Sequence, residues 1–194
     1  MPPANSAMLK LGTSMPVFDL PDFGTNGQNG ARRVASDALP AGRPVLVMFI
    51  CNHCPFVIHL ESQLAALGTD YADRLYVIAI NSNDPQTHPA DAPGKMTEKA
   101  NQAGYTFPYL FDESQETAHA FCARCTPDFF LFDAGRRLVY RGQLDAGRPS
   151  NAEPVDGHDL RAAIDATLDG SSIPEPQRPS LGCSIKWKPG NEPA

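Results

Sequence analysis

The chain has 194 residues, a formal net charge of -6 and 42% hydrophobic residues. This length favours one domain with a substantial core, and the acidic balance argues against a non-specific nucleic-acid binder. No apolar stretch reaches the ~18 residues that a transmembrane helix needs, and the N-terminal sequence lacks the apolar core of a signal peptide. We therefore expect a cytoplasmic protein that binds neither nucleic acid nor membrane.

The cysteines are the next signal. Five occur in the chain, fewer than a disulfide-stapled secreted scaffold would carry. Two of them, Cys51 and Cys54, flank a histidine in the segment FICNHCPFV and are followed by a proline. Such a pair could be part of a zinc site, a structural disulfide or a reactive dithiol, and the surrounding elements have to distinguish these.

The first half of the chain predicts two strands around a helix. Turn residues at 24–35 indicate an N-terminal β-hairpin. The continuous apolar runs 44–50 and 75–81 have the length and β-branched content of strands buried on both faces. Between them, apolar residues at helical spacing predict a helix that follows Cys54 and ends at Gly68.

The second half predicts more helices, a hairpin and a tail. In chain order we expect a helix at 95–103, a helix opened by Asp112 and Gln115, a hairpin of strands 128–133 and 137–142, a helix capped by Asp159 and closed by Gly170, and a polar, proline-rich tail at 171–194.

These elements predict an α/β fold: a mixed central sheet with helices on both faces. We expect a single domain over 1–194, with a core at about 12–170 and a surface-wrapping tail at 171–194. Cys51 and Cys54 lie between a buried strand and its helix. That is the edge of an α/β sheet where sites usually form.

The position favours thiolate chemistry. Only ~3% of an unperturbed cysteine is ionised at neutral pH. A helix N-terminus offers unpaired N–H groups and partial positive charge, both of which favour the thiolate, and a protonated His53 would add to this. Two registers are open: with Cys51 as N-cap the attacking thiol is Cys51, whereas Cys54 as N-cap places Pro55 at N1, where proline fits best.

The chain resembles the thioredoxin superfamily, in its peroxiredoxin-like (AhpC/TSA-type) branch, with a thioredoxin-type Cys-x-x-Cys pair. The resemblance covers roughly residues 12–188. The segments on which the resemblance rests are GTSMPVFDLPDFG, ICNHCPFV, NSND, FPYLFDESQ, CTPDFFLFD, YRGQLD and PSLGCSIKWKPG.

The resemblance implies roles for further residues. Pro127 matches the cis-proline that faces the active pair, and Thr126 before it would offer backbone groups to a substrate. The residues that activate peroxide in peroxiredoxins are absent: their threonine, proline and arginine positions hold Cys51, Val47 and Pro127. The histidine before the second cysteine resembles that of protein disulfide isomerase and predicts a pair more oxidising than thioredoxin's.

The remaining cysteines suggest secondary possibilities. Cys125 lies close to Pro127 in sequence, and Cys183 lies in the tail motif, so each is a possible auxiliary thiol. We expect Cys122 to be an inert buried residue on a helix face. The polar run 81–84 predicts capping and turn formation.

The sequence thus predicts a thiol–disulfide oxidoreductase that needs no cofactor or metal, with Cys51, Cys54 and His53 as catalytic residues and Thr126 and Pro127 at the substrate. Its partners would be protein disulfides or dithiols, or peroxide, together with a thiol reductant. Two alternatives stay open. One is a thiol peroxidase with Cys54 peroxidatic and Cys51 resolving, and the other is a non-enzymatic metal- or partner-binding module.

Overall fold

The computed structural model describes residues 3–24 and 26–193. The strands of these residues are β1 (Pro3–Asn5), β2 (Asp19–Pro21), β3 (Arg33–Ala35), β4 (Val45–Phe49), β5 (Tyr76–Asn81), β6 (Tyr109–Phe111), β7 (Cys125–Thr126), β8 (Asp128–Phe132), β9 (Leu138–Gly142) and β10 (Leu181–Ser184). The α-helices are α1 (Pro55–Asp70), α2 (Pro93–Ala103), α3 (Glu116–Ala120) and α4 (His158–Asp169).

Five strands form a mixed central sheet in the order β6-β5-β4-β8-β9. Strand β5 pairs in parallel with β4 and with β6, whereas β8 runs antiparallel to both β4 and β9. The predicted mixed α/β architecture is therefore confirmed. The sequence prediction missed β6, because a strand of three residues is too short to show a periodicity of its own.

The central strand explains why its sequence is apolar throughout. Every residue of β4 is buried, and successive side chains point to opposite faces of a strand. Leu46 and Met48 pack in a core with α1, α2 and α4, while Val47 and Phe49 pack in a second core with β2, β3 and Phe121. The sheet thus separates two hydrophobic cores, and β4 contributes to both.

Two predicted helix boundaries were wrong. Gly68 lies within α1, which ends at Asp70 with Tyr71 as its C-cap; a Cβ at Gly68 would approach Thr106 Oγ1 to 2.6 Å, so packing excludes a side chain there. The N-cap of α4 is Gly157, and Asp159 falls inside the helix, although Gly170 is its C-cap as expected.

The short helix α3 also departs from prediction. It spans only Glu116–Ala120, with Gln115 as N-cap. Asp112 still caps it, because its Oδ2 accepts a hydrogen bond from the Ala118 N–H at 2.9 Å.

The two ends of the chain meet in a separate sheet. Strand β10 pairs antiparallel with β1 on one side and with β7 on the other. The predicted tail therefore contains a strand that its proline-rich sequence did not reveal. The N-terminal hairpin is present as the antiparallel pair β2 and β3. Within the described residues, no helix is long and apolar enough to cross a bilayer.

Candidate active site

The pair Cys51 and Cys54 lies where β4 gives way to α1. Cys54 is the N-cap of α1 and Pro55 occupies its first turn, so the chain adopts the register in which proline needs no helical hydrogen bond. Both cysteines are free thiols. Their residues are 1% and 0% exposed, so the pair is buried although it sits at a sheet edge.

The segment before Pro127 closes over both sulfurs. Thr126 Oγ1 lies 3.2 Å from Cys51 Sγ, and the Thr126 carbonyl oxygen lies 3.1 Å from Cys54 Sγ. The Thr126–Pro127 peptide bond is cis, as the sequence resemblance implied. The fold therefore brings together residues that are far apart in sequence but were predicted to share a site.

The pKa values of the two neighbouring thiols are shifted in opposite directions. The pKa of Cys54 is lowered to about 5, first by the hydrogen bond from the Cys51 thiol, then by those from the Cys183 thiol and the Val57 N–H, against the opposing effect of burial. The pKa of Cys51 is raised by its hydrogen bond to Cys54, by burial and by the charge of Asp91.

One contact opposes ionisation of Cys54. A protonated Cys54 donates to the Thr126 carbonyl, and a thiolate would forgo that bond. The opposite directions of the two pKa shifts nevertheless favour ionisation of Cys54 over ionisation of Cys51.

A buried carboxylate, Asp91, holds the segment between the cysteines, and the sequence analysis missed it. Asp91 is 0% exposed. Its Oδ1 accepts the Asn52 N–H at 2.7 Å, and its Oδ2 accepts the Asn83 side-chain amide at 2.8 Å and faces His53 Nδ1 at 2.7 Å. Asp91 lies in a short 3-10 turn, Pro89–Asp91, and no motif around it signals this role.

The polar run after β5 supports this arrangement. Asn81 accepts the Asn83 N–H at 3.0 Å, forming the predicted turn, and Asn83 Oδ1 accepts the backbone N–H of Lys186 at 2.8 Å. His53 stacks on His88, with ring centroids 5.2 Å apart. The run therefore connects the active pair to the C-terminal segment as well as forming a turn.

Three side chains could together hold a metal ion. Cys51 Sγ, His53 Nδ1 and an Asp91 oxygen lie within 4.8 Å of one another. Thiolate, imidazole and carboxylate are all zinc ligands. However, the Asp91 oxygens already face donors from Asn52, Asn83 and His53, so an ion would have to displace existing partners.

The other cysteines differ from their predicted environments in part. Cys125 is buried, its thiol donates to the Pro127 carbonyl at 3.7 Å, and burial and nearby Asp128 raise its pKa. Cys122 is exposed, with φ 53°, just beyond α3; the prediction of a buried residue on a helix face was wrong. Cys183 is partly exposed and contacts Cys54.

The fold and the site define a thioredoxin-like protein. Residues 11–141 match the AhpC/TSA family, and the chain belongs to that family. Two solved structures are similar over nearly the whole chain. An uncharacterized conserved protein from Geobacillus kaustophilus is 47% identical, with TM-score 0.93 and 98% of each chain covered. A hypothetical protein from Sinorhizobium meliloti 1021 is 45% identical, with TM-score 0.91, covering 96% of this chain and 99% of that one.

A more distant structure has the same fold. A putative thiol:disulfide interchange protein DsbE from Chlorobium tepidum is 24% identical, with TM-score 0.60, covering 82% of this chain and 99% of that one. No curated protein matches the chain. Family and fold place the chain among thioredoxin-fold redox proteins.

Proposed function

We propose that this chain is a thiol–disulfide oxidoreductase whose redox couple is Cys51 and Cys54. The observation that carries the proposal is the position of Cys54 at the N-terminus of α1, close to Cys51 and to the Thr126 segment that contacts both sulfurs, together with a pKa of Cys54 lowered to about 5. A thiolate next to a second thiol is the arrangement that disulfide exchange requires.

The overall reaction transfers two electrons. The protein thiols become a Cys51–Cys54 disulfide, and a substrate disulfide becomes two thiols; the reverse reaction oxidises a substrate dithiol. By the habit of the family, Cys51 would attack and Cys54 would resolve. The hydrogen bonds favour the opposite starting state, with Cys54 as thiolate, while Thr126 and Pro127 shape the surroundings of both sulfurs. Protein dithiols and disulfides are the proposed substrates, and a thiol reductant completes the cycle.

The stabilised thiolate sets the expected redox direction. Because a lowered thiol pKa stabilises the reduced form, it raises the reduction potential. We therefore expect the couple to be more oxidising than thioredoxin, whose potential is about -270 mV.

The test is an equilibrium titration. The protein is incubated in glutathione redox buffers, quenched with acid, and its disulfides are mapped by peptide mass spectrometry. We expect a Cys51–Cys54 disulfide with a potential above thioredoxin's, absent in Cys54→Ser. Failure to form this disulfide under any buffer would overturn the proposal, and a potential at or below thioredoxin's would refute the expected direction.

A second candidate is a thiol peroxidase with Cys54 as the peroxidatic residue. Family membership and the lowered pKa of Cys54 favour it. Against it, the Thr126 hydroxyl contacts Cys51 and not Cys54. Stopped-flow reaction of reduced protein with one equivalent of hydrogen peroxide separates the two functions. A rate no faster than a free thiolate excludes the peroxidase, and a far higher rate supports it.

A further inference from the structure

The C-terminal strand covers the active pair and is firmly held. Residues of β10 pair with β1 on one edge and with β7 on the other, where Cys183 lies opposite Thr126. At Gly182 an added Cβ would lie 2.1 Å from the Thr126 carbonyl oxygen. The strand therefore approaches the cis-proline segment as closely as a backbone can.

Hydrogen bonds fix the segment on both sides of β10. Before the strand, the Ser180 N–H donates to Ser6 Oγ at 2.9 Å. After it, the Lys186 carbonyl accepts the Asp84 N–H at 2.8 Å and the Gln115 side-chain amide at 2.9 Å. A segment held by these contacts and by a three-stranded sheet is part of the fold and does not serve as a loose flap.

The thiols of Cys51, Cys54 and Cys183 differ in their access to solvent. Cys51 and Cys54 are 1% and 0% exposed, so an outside sulfur has no direct approach to either. Cys183 is partly exposed; it packs against the core cluster that contains Cys54 and pairs with Thr126, whose carbonyl oxygen contacts Cys54 Sγ. Cys183 therefore faces solvent on one side and the buried pair on the other.

We propose that Cys183 is a third catalytic thiol, the one that exchanges directly with substrate and passes the disulfide to and from the buried pair. This inference rests on the proposed function of Cys51 and Cys54, and it adds the point at which substrate enters. It assigns the β10 strand a place in the reaction and not only in the fold.

The steps balance when the substrate is a dithiol. In the oxidised protein the Cys183 thiolate attacks Cys54 Sγ, which forms a Cys54–Cys183 disulfide and releases Cys51 as thiolate. A substrate thiolate then attacks Cys183 Sγ, forming a mixed disulfide and releasing the Cys54 thiolate. The second substrate thiolate attacks the substrate sulfur of that mixed disulfide and releases Cys183. The substrate is oxidised to a disulfide, and Cys51 and Cys54 end as thiols.

Two features favour this direction. A thiolate of low pKa leaves quickly, and Cys54, with a pKa of about 5, is the leaving group when substrate attacks Cys183. In the reduced protein, burial and the neighbouring Cys54 raise the pKa of Cys183 to about 12, so Cys183 is a weak nucleophile toward a substrate disulfide. Oxidation of Cys54 removes the two effects of that neighbour, although not burial, and so makes Cys183 a better nucleophile than in the reduced protein.

The first test uses Cys51→Ser, which removes the first partner of Cys54 and leaves Cys183 beside it. After treatment with oxidised glutathione we expect a Cys54–Cys183 disulfide on peptide mapping. An adduct that stays on Cys54, with no Cys54–Cys183 disulfide, would overturn the relay.

The second test compares Cys183→Ser with Cys122→Ser, since Cys122 is an exposed thiol away from the pair. Oxidised proteins are mixed with dithiothreitol as dithiol probe, and reduction of the Cys51–Cys54 disulfide is followed by stopped flow. We expect Cys183→Ser to slow reduction by about tenfold or more and Cys122→Ser to have no effect. Equal rates in all three proteins would reject the relay.

The failures of the two proposals are distinguishable. A Cys51–Cys54 disulfide that forms and exchanges normally without Cys183 removes only the relay, whereas a wild-type chain that forms no such disulfide removes the proposed function and the relay with it. Thermal unfolding of Cys183→Ser, measured alongside, shows whether a slow rate comes from lost packing. If Cys183→Ser proves to be unfolded, the peptide mapping of Cys51→Ser still tests the relay, because Cys51→Ser retains Cys183.

Discussion

The chain carries two Cys-x-x-Cys pairs, and their surroundings differ in nearly every respect. Cys51 and Cys54 follow the buried strand β4 and open the 16-residue helix α1. Cys122 and Cys125 come after the five-residue helix α3, and only the second of them is buried. The pKa of Cys54 is lowered, whereas that of Cys125 is raised.

The difference shows that spacing alone does not make a reactive dithiol. A cationic residue precedes the second cysteine of the C-terminal pair, Arg124 before Cys125, and yet burial raises the pKa of Cys125. Cys54 is also buried, but it lies at a helix N-terminus beside the Cys51 thiol, and its pKa is lowered. At Cys54 the effects that lower the thiol pKa outweigh the effect of burial. At Cys125 burial dominates, and the thiol pKa is raised.

The largest expected effect is on the rate of disulfide exchange, and it distinguishes the pair Cys51 and Cys54 from the pair Cys122 and Cys125. Replacing Cys54 by serine should reduce the rate of disulfide exchange on the order of 10³-fold, because every proposed disulfide includes that sulfur. Cys122→Ser and Cys125→Ser should stay within about twofold of wild type. Exchange with dithiothreitol, followed by stopped flow, measures all three. A large loss in Cys125→Ser, with its fold intact by circular dichroism, would break the comparison.

The next prediction concerns Asp91, which holds the segment between Cys51 and Cys54 in place. Asp91→Asn should lower the free energy of unfolding by about 2–3 kcal/mol, since a buried charged acceptor loses several hydrogen bonds. It should also lower the pKa of Cys51, because the Asp91 charge helps to raise it. Urea denaturation and the pH dependence of iodoacetamide alkylation measure the two effects. The exposed Asp73→Asn serves as control, and an equal loss in both variants would contradict the anchoring role.

A third effect is pH-dependent. A folded-state pKa below the unfolded value adds stability above the folded pKa, and this stability is lost as the pH falls through it. For Cys54 the folded pKa is about 5 and the ordinary value 9.0. The stability advantage of reduced wild type over Cys54→Ser should therefore be absent below pH 5 and grow toward pH 9, by on the order of 1–2 kcal/mol between pH 5 and pH 7.

Urea midpoints under excess reductant, at a series of pH values, give this difference. Because both proteins contain Asp128, whose buried carboxyl has a raised pKa, its contribution cancels. A difference that does not change with pH would mean that Cys54 is not the thiolate.

The smallest effect belongs to the residue between the cysteines of the first pair. His53 pairs with Asp91 and its side chain is 30% exposed, and such partly exposed pairs contribute about 1 kcal/mol or less. His53→Ala should therefore change the exchange rate less than about fivefold and lower the reduction potential slightly. Arg124→Ala in the second pair is the matched control. A tenfold or greater loss in His53→Ala alone would assign His53 a larger role.

The sequence was informative where chemistry and local pattern coincide. A buried strand followed by two cysteines and a helix predicted that Cys51 and Cys54 lie between β4 and α1. This feature depends on neighbours in the chain, which a sequence displays directly, whereas the cis peptide bond at Pro127 was implied by the family resemblance of the segment CTPDFF. The two buried strands and the hairpin were predicted for the same reason.

The features that the sequence did not reveal depend on distant contacts. The local sequence around Asp91 is that of an ordinary proline-rich loop. Its role depends on contacts with Asn52, His53 and Asn83, which only the fold brings close. Strand β10 has no alternating pattern, because two neighbouring strands and Cys54 determine its environment. Gly68 looks like a helix terminator, although its actual constraint is contact with Thr106.

The pairing of β10 with β1 has a consequence for biosynthesis. Cys51 and Cys54 leave the ribosome well before Cys183, so a nascent chain holds its dithiol without the strand that later shields it. During that interval the sulfurs are open to any disulfide or electrophile in the surroundings. A premature stop codon upstream of Leu181 would remove β10, and with it the strand that pairs with the Thr126 segment over both sulfurs.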